Sequence, residues 1–364
     1  MTRAPGWGFD LDPMLRRVLS VGLGAARTDH PPLADDAWVV FVEHARHHRL
    51  DGLLVGAVAD GTVATTATQR AEIAHLECRL AADAMWHEGW TNATVEMLRD
   101  EGIEVRILKG PAWARLDYPD SLWRPTQDLD LLVHGRDLER GSRSLLAAGG
   151  VRLDPDPVDG YSEVVGKGAT YAFSDRPEID LHRLLIWGPF GVRVPEEELW
   201  TVRRRFICGG VEHSTLGLEE SFVHAGLHMV VLGWRRALNL RDVAQMMSSP
   251  HLDVDRLLWL ARRWDVEAPL AVAILLAVDE IDVEYAGDLV PWARGHRMRF
   301  RDRLELRVER PGDPVSGVEA LATWFECPTP EMRRMLWDAT VRPAPDTWRS
   351  PGERVRGLLS RRGR

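Results

Sequence analysis

The stretch TQDLDLLV, residues 126–133, places two aspartates one residue apart at the head of an apolar run. Leu131, Leu132 and Val133 have to leave water, and the alternation before them has a period of two. A strand is therefore expected, with Asp128 and Asp130 on one face and Leu129 and Leu131 packed behind. Two carboxylates about 4 Å apart repel by roughly 4 kcal/mol at an effective dielectric near 20. A chain that folds this way needs a proton on one of them, an arginine between them or a divalent cation across them. Mg²⁺ suits the last role, since it is held by one or two carboxylates together with substrate phosphates. Without a metal the carboxylates would cost stability, so neutralising them is expected to stabilise the fold.

PEIDLH, 177–182, repeats the pattern, with Asp180 and His182 on one strand face and Ile179 and Leu181 behind. Asp128, Asp130 and Asp180 together supply what a two-metal phosphoryl-transfer site requires: one ion activates the attacking oxygen and the other steadies the leaving pyrophosphate. Upstream, EVRILKG (104–110) reads as a strand ending in Lys109-Gly110, followed by a short helix opening at Pro111. Backbone N–H groups at such a turn can hold phosphate.

Around this segment the texture is helical. Residues 13–100 and the chain from about 214 onward carry apolar residues at helical spacing, and RDLERGSRSLLAAGG reads as a helix closed by Gly149 and Gly150. ATYAFS and 177–185 read as a pair of strands. The expected units are a helical region (1–100), a strand-bearing core (101–210), a helical domain (211–341) and a basic tail (342–364).

Composition bounds the function classes. A formal charge of −9 argues against nucleic-acid binding over the whole surface. Of 46 basic residues only Lys109 and Lys167 are lysine. Three scattered cysteines make no disulfide framework and fit a reducing compartment. No apolar segment precedes Arg16-Arg17 as a secretory leader would, and the longest apolar run, APLAVAILLAV (268–278), is too short for a bilayer. A soluble cytoplasmic protein is expected.

The block LKGPAWARLDYPDSLWRPTQDLDLLV resembles the signature of the uncharacterised nucleotidyltransferase family in the DNA polymerase beta-like superfamily. The matching elements are Lys109-Gly110, Tyr118-Pro119-Asp120, Arg124-Pro125, Asp128-Leu129-Asp130 and, later, Asp180-Leu181-His182. RLDGLL (49–54) and residues 222–247 resemble the helical regions flanking that core. The resemblance implies an α+β fold, a small mixed-sheet nucleotidyltransferase core between helical regions. It also implies Mg²⁺- or Mn²⁺-dependent transfer of a nucleoside monophosphate from a nucleoside triphosphate such as ATP to a hydroxyl acceptor, releasing pyrophosphate. Carried over by position, Asp128 and Asp130 would hold both metals, and Asp180 would complete the second and help deprotonate the acceptor. Lys109, Gly110, Arg124, Lys167 and His182 would meet the nucleotide. One departure is Pro111, which supplies neither hydroxyl nor N–H where the superfamily usually places a phosphate-contacting serine or glycine. The 16 residues from Ala112 to Gln127 also make an unusually long gap.

The acceptor, a small molecule or peptide by expectation, is not legible, nor is the preferred base. The alternatives are an inactive scaffold of the same fold and an enzyme that modifies tRNA or protein. The seven arginines of 342–364 suit an anionic partner, although a solvated terminal helix is the simpler account. His224 and His228, one helical turn apart with Cys208 and His213 upstream, admit a zinc reading. Neutral histidines within the helical domain, or lining the acceptor pocket, are the simpler reading. Lys167 lies between glycines but outside any Walker A spacing. Arg235, Arg236 or Arg241 is expected to pair internally, with Asp242 as a candidate partner.

Overall fold

The change of texture near residue 101 is a change of architecture. The computed structural model describes residues 11–25, 30–232, 236–281, 285, 287–308 and 317–341. Arg235 and the basic tail lie outside the described residues.

Among the described residues four helices precede the sheet: Pro13–Ser20, Asp35–His47, Asp51–Ala59 and the 34-residue Ala67–Asp100. The last starts on a capping box, in which Gln69 N donates to Thr66 Oγ1 (3.2 Å) and Thr66 N donates to Gln69 Oε1 (3.1 Å). It ends where Gly102, at φ 70°, takes the left-handed conformation.

The chain then forms a five-stranded mixed sheet: β1 (Arg106–Ile107), β2 (Leu129–Leu132), β3 (Val151–Arg152), β4 (Gly168–Ala172) and β5 (Ile179–His182), in the order β1-β2-β5-β4-β3. β2 and β5 are parallel, and the other neighbours are antiparallel. Leu129, Leu131, Ile179 and Leu181 are buried on one face, which the helix Leu138–Ala147 helps to cover. The fold is α+β, as expected.

A second sheet was not anticipated: β6 (Arg203–Cys208) and β7 (Val211–Leu216) form an antiparallel hairpin across the boundary expected at 210/211. Its three leading arginines hide the strand, but the signal existed. Gly209 and Gly210 stand at φ 54° and 78°, the two-residue turn that glycine pairs favour between alternating runs. Helices follow from Leu218, and the apolar run 268–278 is a core helix, Glu267–Glu280, with Leu270, Ala273, Ile274 and Ala277 buried. No described helix is long and apolar enough to cross a membrane.

Two contacts lock the segment 117–127 between the helical regions. Asp242, in helix Ala237–Met247, accepts from Arg124 Nε (2.7 Å) and Nη2 (2.9 Å) and from the Tyr118 hydroxyl (2.8 Å). Arg124 is thus a partner of Asp242, where Arg236 and Arg241 bond elsewhere. Arg241 caps Leu19 O and Val21 O, and Arg236 bonds His47 O. On the other side the helix Asp51–Ala59 lies directly on the 121–123 turn: a Cβ at Gly52 would stand 1.9 Å from Leu122 O and 2.8 Å from Trp123 Cα. Backbone cannot yield as a side-chain tip can. Gly52→Ala is therefore expected to destabilise by about 1–3 kcal/mol, the usual cost of overpacking, measured as a lowered urea midpoint at unchanged slope.

Candidate functional site

β1 ends with Leu108 N donating to Asp130 O (2.9 Å), and the chain then turns sharply through Lys109 (φ 40°) and Gly110 (φ 31°). Both lie in the left-handed region, and a Cβ at Gly110 would also press on Thr126 Cγ2 at 3.1 Å. The turn delivers the Lys109 side chain to the sheet, but it offers phosphate less than the sequence suggested. Ala112 N and Trp113 N both donate inward to Lys109 O, and Pro111 has no N–H.

Asp130 and Asp180 are register partners on parallel neighbours. Side chains at one register of such a pair project to the same face, so the two carboxylates meet there. His182 Nε2 lies 2.9 Å from Asp130 Oδ1 and 3.1 Å from Asp180 Oδ2. Its Nδ1 faces Leu184 O at 3.2 Å. A carbonyl and two carboxylates ask both ring nitrogens to donate, so the ring is an imidazolium. Burial and the Lys167 charge push its pKa down, but Asp180 and Asp130 outweigh them, and the net direction is up.

The lysines complete the cluster. Lys109 Nζ is 2.9 Å from Asp130 Oδ1, and Lys167 Nζ pairs with Asp180 Oδ2. Both lysines of the chain therefore sit on the two facing carboxylates. Burial would raise both acids, yet Lys109 and His182 hold Asp130 well below the usual carboxylate range, and His182 and Lys167 do the same for Asp180. The like-charge problem is thus solved by the chain's own cations. The expectation that neutralising the carboxylates would stabilise the protein is corrected accordingly: each is one half of a buried pair, and removing one half strands the other.

Asp128 stands one residue ahead of β2, half-buried, and its carboxylate makes no hydrogen bond or ion pair with a described residue. Its charge nevertheless reaches Lys109, Arg124 and Arg49. The set of three ligand atoms within 4.8 Å of one another is Asp130, Asp180 and His182, with Asp128 outside it. Two carboxylate oxygens, joined by the His182 nitrogen once its proton has left, fit a divalent cation that would take over the neutralising role of the imidazolium and lysines on that face. Arg124 is spent on Asp242 and stacks over Trp113 at 4.9 Å, with Nη1 3.4 Å from Gly110 O, so it braces the turn from behind.

Sequence reasoning left His224 and His228 without a settled role. His224 is fully buried, edge-to-face on Trp113 (5.6 Å), and neither of its ring nitrogens has a hydrogen-bond partner among the described residues. His213 instead meets Asn92 Oδ1 at 2.7 Å, and among the described residues no zinc-type cluster joins it to Cys208 or His224. Burial first, and then the Lys109 charge, hold both His224 and His228 well below the ordinary histidine pKa. The sign of the linkage follows. These rings are neutral in the fold and protonate near 6.5 when unfolded, so the unfolded state binds more protons as pH falls below 6.5. Stability is therefore expected to decline as pH falls from 6.5 to 5, the slope approaching about 1.4 kcal/mol per pH unit for each ring at the acid end. Urea titrations of the metal-free protein and of His228→Gln across that range check this, and an unchanged slope in the variant would refute it.

A family model described as uncharacterised nucleotidyltransferase matches residues 34–279. No curated protein matches the chain. Among solved structures, an antigenic nucleotidyltransferase-like protein from Paracoccidioides brasiliensis is similar at 17% identity and a TM-score of 0.34, over 51% of this chain and 92% of that one.

Proposed function

The chain belongs to the uncharacterised nucleotidyltransferase family, and from that premise we propose that it transfers a nucleoside monophosphate from a nucleoside triphosphate to a hydroxyl acceptor. The observation that carries this reading is the register pairing of Asp130 with Asp180, whose carboxylates and His182 present three ligand atoms within 4.8 Å.

Asp130 and Asp180 would hold a divalent cation, Mg²⁺ or Mn²⁺, with Asp128 at the rim. Such an ion supplies charge stabilisation to the reacting phosphoryl group and the leaving pyrophosphate. The chain's own residues do the rest. Lys109 and Lys167 bring compact ammonium groups to the same face, where phosphate oxygens can replace the aspartates as partners. The acceptor oxygen attacks the α-phosphorus, the bond to the β-phosphate oxygen breaks, and the hydroxyl proton passes to Asp180. Asp180 suits that role better than Asp130, because its side chain is 16% exposed against 3%. Arg124 acts at one remove, holding the turn through Gly110. A small molecule or a peptide is the proposed acceptor.

Thermal unfolding with each of the four nucleoside triphosphates, with and without Mg²⁺, tests the donor half without knowledge of the acceptor. A ligand at 100 times its Kd adds about 2.7 kcal/mol. A Mg²⁺-dependent shift is expected, and its size ranks the bases. No shift with any nucleotide would leave a scaffold that keeps the fold alone.

A further inference from the structure

Beside Asp128 opens a polar cleft of about 380 Å³, lined by Glu43, Arg46, His47, Arg49, Gln127 and Arg236. Its walls come from both helical regions and from Gln127, two residues ahead of β2. Two of its three arginines have partners: Arg46 Nε lies 3.6 Å from Asp51 Oδ1, and Arg236 bonds His47 O. Arg49 makes no side-chain hydrogen bond or ion pair with a described residue, although it is more than half buried from solvent.

The backbone at Arg49 is equally unusual. Helix Asp35–His47 closes there, with Arg49 N donating to Arg46 O (2.9 Å) and Leu50 N to Ala45 O (2.8 Å). Arg49 itself stands at φ 60°. That left-handed closing position is one that glycine fills without strain. The fold therefore keeps a side chain where it would do better with none, and gives it no structural partner. Burial lowers the pKa of the guanidinium, and Arg236 and Arg124 add to that against the pull of Asp128 and Asp130. A cation held among cations, facing two acids without pairing to them, lacks an anion.

The turn at Lys109-Gly110 offers few backbone donors, since Pro111 has no N–H and those of Ala112 and Trp113 point inward. We infer that Arg49, supplied by the N-terminal helical region, grips the β- and γ-phosphates of the donor triphosphate from across the mouth of the site. The guanidinium fork matches phosphate oxygens in pairs. This rests on the nucleotidyltransferase reading and deepens it: triphosphate handling moves from the glycine turn to a residue on the first helical region.

Arg49→Gly separates binding from folding, because glycine relieves the backbone while removing the fork. The full chain, as wild type, Arg49→Gly and Arg49→Lys, is titrated calorimetrically in Mg²⁺ with inorganic tripolyphosphate, with the triphosphate giving the largest thermal shift and with its monophosphate. Arg49→Gly is expected to melt higher than wild type in the absence of ligand. It should also bind tripolyphosphate and the triphosphate at least tenfold more weakly, with monophosphate affinity unchanged and Arg49→Lys in between. Wild-type binding of the triphosphate matched by Arg49→Gly would overturn the inference while leaving the donor reading intact. Weakening that extends equally to the monophosphate would also overturn it. A wild type that binds neither triphosphate nor tripolyphosphate would overturn both.

Discussion

Asp130→Asn is expected to abolish Mg²⁺-dependent stabilisation by nucleotide, to lower transfer by about a thousandfold or more, and to weaken the metal-free protein as well. The first two effects come from losing a charged ligand at the centre of the cluster. Electrostatic stabilisation by a correctly held metal is worth several kcal/mol, and each 1.36 kcal/mol is tenfold in rate. The third comes from what Asp130 does without metal. Its buried carboxylate meets Lys109 at 2.9 Å and His182 at 2.9 Å, and asparagine would take the ion-pair partner from Lys109 and leave His182 with Asp180 alone. Removing one partner of a buried pair costs about 3–5 kcal/mol. Asp128→Asn is the matched control. Half-buried and without a described partner, it should change stability by no more than about 0.5 kcal/mol while still weakening metal-nucleotide binding. Urea unfolding and nucleotide thermal shifts on the two variants resolve the contributions. An Asp130→Asn protein that kept the Mg²⁺-dependent shift would sink the assignment of Asp130 to the metal.

Asp242→Ala is expected to be as damaging to the fold as Asp130→Asn, for a reason unconnected with chemistry. Asp242 receives Arg124 through two bonds and Tyr118 through a third, in a region where Arg124 is only 7% exposed. Burial opposes the Arg124 charge, yet Asp242 more than offsets it, so the guanidinium holds its proton more firmly than usual. Alanine would strand that cation and a phenol, at about 3–5 kcal/mol. The double variant Arg124→Met/Asp242→Leu should recover most of the loss, because well-packed apolar groups of similar volume often replace a buried ion pair at no net cost. A double variant no more stable than Asp242→Ala would show that the pair's geometry, rather than the stranded charge, sets the penalty. Urea midpoints of the three proteins decide this. In the donor reading, Asp242→Ala should also loosen nucleotide binding, since Arg124 braces the turn that carries Lys109.

The parts of the site legible in advance are those governed by short-range periodicity. D-x-D followed by Leu-Leu-Val, and D-L-H after an isoleucine, gave two strands and placed Asp130 and Asp180 each on the face away from its neighbouring leucines. The register that puts those two residues opposite one another is a property of strand pairing across 49 intervening residues, and no local pattern carries it. Asp128 shows the same limit from the other side. By alternation it belongs beside Asp130, but the strand begins at Leu129, and the carboxylate ends at the mouth among Arg49, Arg124 and Lys109. The hairpin β6–β7 escaped notice because its inward positions, Phe206 and Cys208, are separated by charged or exposed residues whose helical and strand readings compete.

What the sequence determined by itself was the chemistry present: three strand-associated carboxylates, two lysines in a chain of arginines, a glycine turn ending in proline, and helices on either side. Those follow from side-chain type and from periodicities of two and 3.6, which act over a few residues. Which charges meet was decided only by the tertiary structure. Lys109 and Lys167 came to the two facing acids, Arg124 went to Asp242, and Arg49 was left in the cleft without an anion. The reason is physical: Coulomb energy falls only as the inverse of distance, and partners are chosen by burial and register among residues 13 to 118 positions apart, so a charge's role is fixed by the folded dielectric around it.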